Sequence, residues 1–197
     1  MYLINGTLSA SLPFRLHLED GRTRTSLHEM SEAQLAELGV FPCDEIKPPL
    51  EWTQHHGTPV IEVADGRATA TYPVLDYSPE EVAGILEVAK ERKRSEIAAA
   101  RYEAEIAGVE AGGMTIKTDR ESQALITGAA LQAFVDPDYT CTWKTVDGFV
   151  ELTSLQIKGA AMYVRSHVQG CFNKEATLAA QIQEAQTPEE LDAINWR

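Results

Sequence analysis

The chain has 197 residues, with 17 Lys and Arg against 30 Asp and Glu and a formal net charge of −13. Hydrophobic residues make up 44% and charged residues 24%, enough apolar material for one medium or two small cores, which excludes wholesale disorder. The acidic balance, with a pI near 4.8 and no block of clustered cations, argues against nucleic-acid binding, because that affinity comes from neutralising phosphates.

The N-terminus, MYLINGTLSASLPFRLHLEDG, carries no basic leader and no apolar run of signal length. Nowhere do about 18 apolar residues follow one another, so neither secretion nor membrane insertion is expected. Cys43, Cys141 and Cys171 are odd in number, far apart and without CxxC spacing. They read as small buried apolar groups in a reducing cytoplasm.

Four dipeptides suited to two-residue hairpin turns stand in the chain: Asn5-Gly6, Asp20-Gly21, Asp65-Gly66 and Asp147-Gly148. Around them lie alternating runs, with Phe14, Leu16 and Leu18 on one face, and Ile61 and Val63 answered by Ala68, Ala70 and Tyr72. Residues 1–77 are therefore expected to form a small β-rich hairpin module. Capping boxes predict helix starts at Ser31/Gln34, Ser78/Glu81, Thr118/Glu121, Thr153/Gln156 and Thr187/Glu190. The first opens a short helix ending at Gly39, with Met30 and Leu35 spaced as a hydrophobic staple.

The box at Ser78, with Pro79 at the first helical position, opens a stretch that has no proline from Glu80 until Gly112-Gly113, about 33 residues or roughly 50 Å of helix. Its ends are apolar, at Val82, Leu86 and Ala89 and at Tyr102, Ile106 and Val109, but its middle, KERKRSE, is wholly polar. Residues 78–111 thus read as a solvated bridging helix, with a partner-facing coiled coil as the alternative. Residues 112–197 read as an α+β module: a short strand at Met114 and Ile116, a helix from Thr118 with Leu125, Ala129 and Gln132 or Ala133 on one side, and a hairpin carrying Tyr139, Cys141, Trp143, Phe149 and Val150. A helix over about 154–172 and shorter helices through Leu191 and Ile194 complete it. The whole chain is expected to be α+β.

Chemical signatures are weak. His55-His56 is the only close histidine pair; in a strand their side chains would diverge, and a solvated loop is the expected setting. His167 is expected on an exposed flank of its helix. No GxSxG elbow or phosphate loop occurs, Cys43 has no identifiable base partner, and no cofactor or metal is expected. Thirty carboxylates make a fortuitous pair certain, so a glycosidase-like dyad cannot be read from sequence. The hairpin aromatics Tyr139, Trp143 and Phe149 either pack under helices or anchor a partner, and Trp196 is either a lid on the last helix or an interface residue.

The segment TDRESQALITGAALQAFVDPDY, followed by TWKTVDGFVELTSLQI and RSHVQGCFNKEATLAAQI, resembles a C-terminal domain of unknown function found in tailed-bacteriophage and prophage proteins encoded near tail-fibre genes. The preceding RKRSEIAAARYEAE resembles the charged helix that leads into that domain, and the front part is similar in layout to the front modules of tail-fibre assembly and accessory proteins. The resemblance implies a non-enzymatic tail protein, a fibre accessory or assembly factor, found in the virion tail and in host cytoplasm during assembly. Its partner would be the fibre or another tail protein, bound as one copy or three, with homo-oligomerisation open. It carries over Thr118, Asp119, Arg120, Ser122, Gln123, Trp143, Lys144, Asp147 and Gly148 without a chemical role. Arg120 and Gln123, three apart on one helical face, join Trp143, Phe149 and Trp196 as candidate partner-binding residues. Two other classes remain in view: a small hydrolase of a cell-surface polymer, and an acidic host-takeover protein that mimics nucleic acid.

Overall fold

The computed structural model describes residues 1–18, 20–145 and 148–197. The chain divides into two compact units, Met1–Val82 and Ala83–Arg197, and its architecture is α+β.

The first unit begins with β1 (Tyr2–Ile4) and β2 (Thr7–Ser9), joined at Asn5-Gly6, whose φ values of 48° and 80° are those of the expected two-residue turn. Then come β3 (Arg15–His17), β4 (Thr23–Thr25), α1 (Glu32–Glu37) and β5 (Val40–Ile46). The ribbon of β3 and β4 does not close on a two-residue turn at Asp20-Gly21: Leu18 N–H donates to Arg22 O, and Gly21 N–H donates to Leu18 O. Nor does Phe14 share the face of Leu16, since Leu16 is buried and Phe14 is exposed before the strand begins. α1 carries the expected box, with Ser31 Oγ accepting from Gln34 N–H and the Gln34 side chain accepting from Ser31 N–H. Met30 and Leu35 meet in one cluster with Leu16, Leu27 and Val40.

Four short strands follow: β6 (Gln54–His56), β7 (Val60–Ala64), β8 (Arg67–Thr71) and β9 (Val74–Asp76). A five-stranded sheet has the order β2-β1-β5-β8-β7, with only β5 and β8 parallel. Ala68 and Ala70 on β8 face Val63 and Ile61 across the Asp65-Gly66 turn and pack with Leu3 and Cys43. The two histidines lie on β6, paired with β9, and not in a solvated loop. His55 is stacked 4.7 Å from Tyr77, and His56 Nε2 is 2.9 Å from Pro48 O.

α2 spans Pro79–Ile106, its start capped by Ser78 and Glu81 as expected. It is 28 residues long and stops short of the glycine pair, because Gly112-Gly113 turn a hairpin between β10 (Val109–Ala111) and β11 (Met114–Ile116). Val109 is therefore a strand residue. The polar middle of α2 is not solvated on every face. Lys90 and Lys93 are buried, Lys90 Nζ donates to Gln183 O at 2.8 Å, and Ile97 packs among Leu178, Ile182 and Leu191. The lysine stems cover apolar neighbours while each ammonium reaches an acceptor, an arrangement that amphipathic long side chains permit.

The second unit continues with α3 (Arg120–Val135), β12 (Thr140–Thr145), β13 (Gly148–Thr153), α4 (Ser154–Glu184) and α5 (Pro188–Ala193). The predicted break after Phe172 is absent, and α4 is one helix of 31 residues. Its box at Thr153 and Gln156 is formed, whereas at α5 Thr187 caps Glu190 N–H but the Glu190 carboxylate accepts from Gln186 N–H. The turn at Asp147 lies outside the described residues. α3 buries Ile126, Ala130 and Ala133 against Leu152, Ile157 and Val164, so of the expected side Ala133 is in the core and Ala129 packs against it, while Leu125 is exposed. Among the described residues no helix is long and apolar enough to cross a membrane.

Candidate docking surface

The sequence-predicted residues do not form one patch. Arg120 is exposed in the first turn of α3. Gln123, three positions on, is turned inward: its amide donates to Thr118 O at 2.7 Å and to Glu105 Oε1 at 3.2 Å. Glu105 is buried and paired with Arg101, which also holds Glu175 at 3.1 Å and lies 4.7 Å from the Phe172 ring centroid. Gln123 thus ties α3 to the end of α2.

Thr118 belongs to the same cluster and is not the cap of α3. Its fully buried hydroxyl donates to Glu105 O and accepts from Gly108 N–H at 2.9 Å, satisfying two backbone groups where α2 ends. The cap is Asp119, which accepts from Ser122 N–H at 3.0 Å and Ser122 Oγ at 2.8 Å. These bonds, the backbone one foremost, hold the Asp119 carboxyl below its usual range.

On the hairpin, Tyr139, Cys141 and Trp143 pack against the core under α3 and α4. Phe149, opposite Lys144 on the other face, is exposed, with Lys144 Nζ 5.8 Å from its ring centroid. Trp196 lies against the cluster of Ile182 and Leu191, beneath Lys174 Nζ at 4.8 Å, and the same ammonium donates to Trp196 O. His167 is half-buried, its Nε2 2.9 Å from Ala104 O, and not free on a flank. Burial raises the Cys141 and Cys171 thiols, so neither is a ready nucleophile. Among the described residues no three His, Cys, Asp or Glu converge as metal ligands.

A strongly apolar feature lies elsewhere, along α3 and α4. The two helices run antiparallel: Ser154 Oγ at the start of α4 donates to Ala133 O near the end of α3, and Lys158 Nζ sits 5.4 Å from the Phe134 ring centroid. Between them runs a groove of about 750 Å³. α3 lines it with Thr127, Ala130, Leu131 and Phe134, one helical face at i, i+3, i+4 and i+7. α4 supplies Lys158, Ala161, Met162 and Arg165 at the same spacing.

Ala130 and Ala161 keep the floor shallow in side chains. Leu131, Phe134 and Met162 stand up as walls, respectively 64%, 71% and 73% exposed. Val135 and Leu155 extend the exposed apolar surface at one end. Exposed apolar patches of this kind are a general feature of interaction surfaces. The groove is not legible in the expected side of α3, because Thr127, Leu131 and Phe134 lie on the side of the helix away from Leu125 and Gln132. The missed signal is the absence of charge: no ionic residue occurs from Ser122 to Val135.

Fold and surface together describe a two-unit α+β protein whose second unit presents an apolar two-helix groove. Residues 88–195 match the family model described as a domain of unknown function, DUF4376. That span is more than half of the chain, and the protein belongs to this family. No curated protein and no solved structure matches it.

Proposed function

We propose that the protein is a non-enzymatic bacteriophage tail component, a fibre accessory or assembly factor that binds the fibre or a neighbouring tail protein. The open apolar groove of α3 and α4 is the observation that carries the binding role. It is walled by large side chains on two well-packed helices, the rigid setting in which hydrophobic anchors are recognised. The tail assignment rests on the TDR-x-SQ and WK-x-x-DG resemblance at Thr118–Gln123 and Trp143–Gly148. Fractionation of infected cells tests it: the chain should accompany fibre protein or washed virions, and its absence from both contradicts the assignment.

The hydrolase reading would draw on a second depression, where Asp119 and Glu121 face Trp143 and Lys144. Glycoside hydrolysis needs two carboxylates free to act on the substrate, whereas Asp119 is committed as the cap of α3, accepting from Ser122 N–H and Ser122 Oγ. The binding role is therefore the better supported.

A further inference from the structure

The groove has a charge pattern that selects its occupant. From Ser154 to Asn173, α4 contains Lys158 and Arg165 and not one carboxylate, while α3 is uncharged from Ser122 to Val135. In a chain of net charge −13, this surface is locally cationic. Among the described residues neither Lys158 nor Arg165 has a carboxylate partner. Lys158 lies over Phe134, and Arg165 is exposed on the groove wall.

We infer that the groove receives an amphipathic helix of another protein, with an apolar stripe flanked by carboxylates. This rests on the binding role proposed above and adds the chemistry of the partner. The shape favours a helix: two antiparallel helices with small residues on the floor leave a trough into which a third packs ridge into groove. From Lys158 to Asn173 the trough is about 22 Å long, the length of about 15 helical residues. Lys158 and Arg165 are two turns apart on one wall, so the matching carboxylates on the incoming helix are also spaced by about seven residues.

The same pattern disfavours a second copy docked face to face. A two-fold interface would set the apolar walls together but oppose Lys158 and Arg165 to a surface that offers no carboxylate.

The test uses the full-length protein and fluorescein-labelled synthetic helices of 16 residues. These carry one leucine stripe and, seven residues apart beside it, two Glu, two Lys or two Gln. Fluorescence anisotropy should rank binding Glu above Gln above Lys, with about fivefold or more between the extremes at low salt. Met162→Glu should abolish binding of the Glu peptide. The double variant Lys158→Glu with Arg165→Glu should reverse the ranking, which only a folded groove can do. Equal binding of all three peptides, or an unchanged ranking in the double variant, overturns the inference. So does a dimer in light scattering that Met162→Glu dissolves, or preferential binding to phosphatidylglycerol vesicles over the Glu peptide. Peptide discrimination by a chain absent from virions and fibre complexes supports the groove chemistry and overturns the tail assignment alone.

Discussion

Thr118 does not take the capping role that the sequence pattern assigns it; Asp119 does. A Thr three residues before Glu121 satisfies the capping-box rule, yet the Thr118 hydroxyl is spent on Glu105 O and Gly108 N–H, and the next residue caps the helix. Pattern rules see the spacing along one helix; they do not see that the end of α2 brings two unpaired backbone groups to Thr118. Thr118→Val keeps the shape and strands both groups, so it should cost about 2 kcal/mol or more in urea unfolding. Thr153→Ala, which removes an exposed cap, should cost about 1 kcal/mol. Equal costs would contradict the bridging role of Thr118. Asp119 carries a pH signature as well. Its folded pKa is lowered from the ordinary 3.8, so its contribution to stability is complete above that value and is lost as pH falls through the lowered one. Asp119→Asn retains a cap that does not titrate, and its stability should fall less steeply in this acid range than the wild type's.

At the scale of elements, turns and caps were the legible part. Asn5-Gly6, Asp65-Gly66 and the boxes at Ser31, Ser78 and Thr153 form as their residues require, because each is decided by a few adjacent side chains. Helix faces were less legible. KERKRSE offers no apolar residue and so predicts a solvated middle for α2, but burial there is achieved by Lys90 and Lys93 and by Ile97 one residue beyond it. On α3 the neighbouring faces of Ile126 and Leu131 are both apolar, and periodicity alone does not tell the core from an exposed groove. Of the residues nominated from sequence, Gln123 is engaged inside the second unit, and the groove residues were not among them. Ile97→Ala should destabilise the second unit by about 2–5 kcal/mol, while Val88→Ala on the exposed side of α2 should stay within about 0.5 kcal/mol of wild type. Chemical denaturation followed by circular dichroism measures both; a neutral Ile97→Ala would restore the fully solvated bridge.

For the whole molecule, the charge of −13 gains meaning from where it is missing. Acidic residues populate both units, which serves solubility, and the face of α3 and α4 is the exception, apolar with two unpaired cations among the described residues. The docking proposed above draws on this contrast, which would favour an acidic, apolar-faced partner over a second copy. The central claim, that this groove docks a tail protein, is tested most directly by capturing tagged wild-type and Met162→Glu chains from infected cells and quantifying co-purified tail-fibre and neighbouring tail proteins by mass spectrometry. Met162 is exposed, so the substitution leaves the core intact. We expect tail protein with the wild type and a loss of about tenfold or more with Met162→Glu, the cost of placing one charge in an apolar contact. Equal recovery with both chains, or no tail protein with either, would contradict the claim.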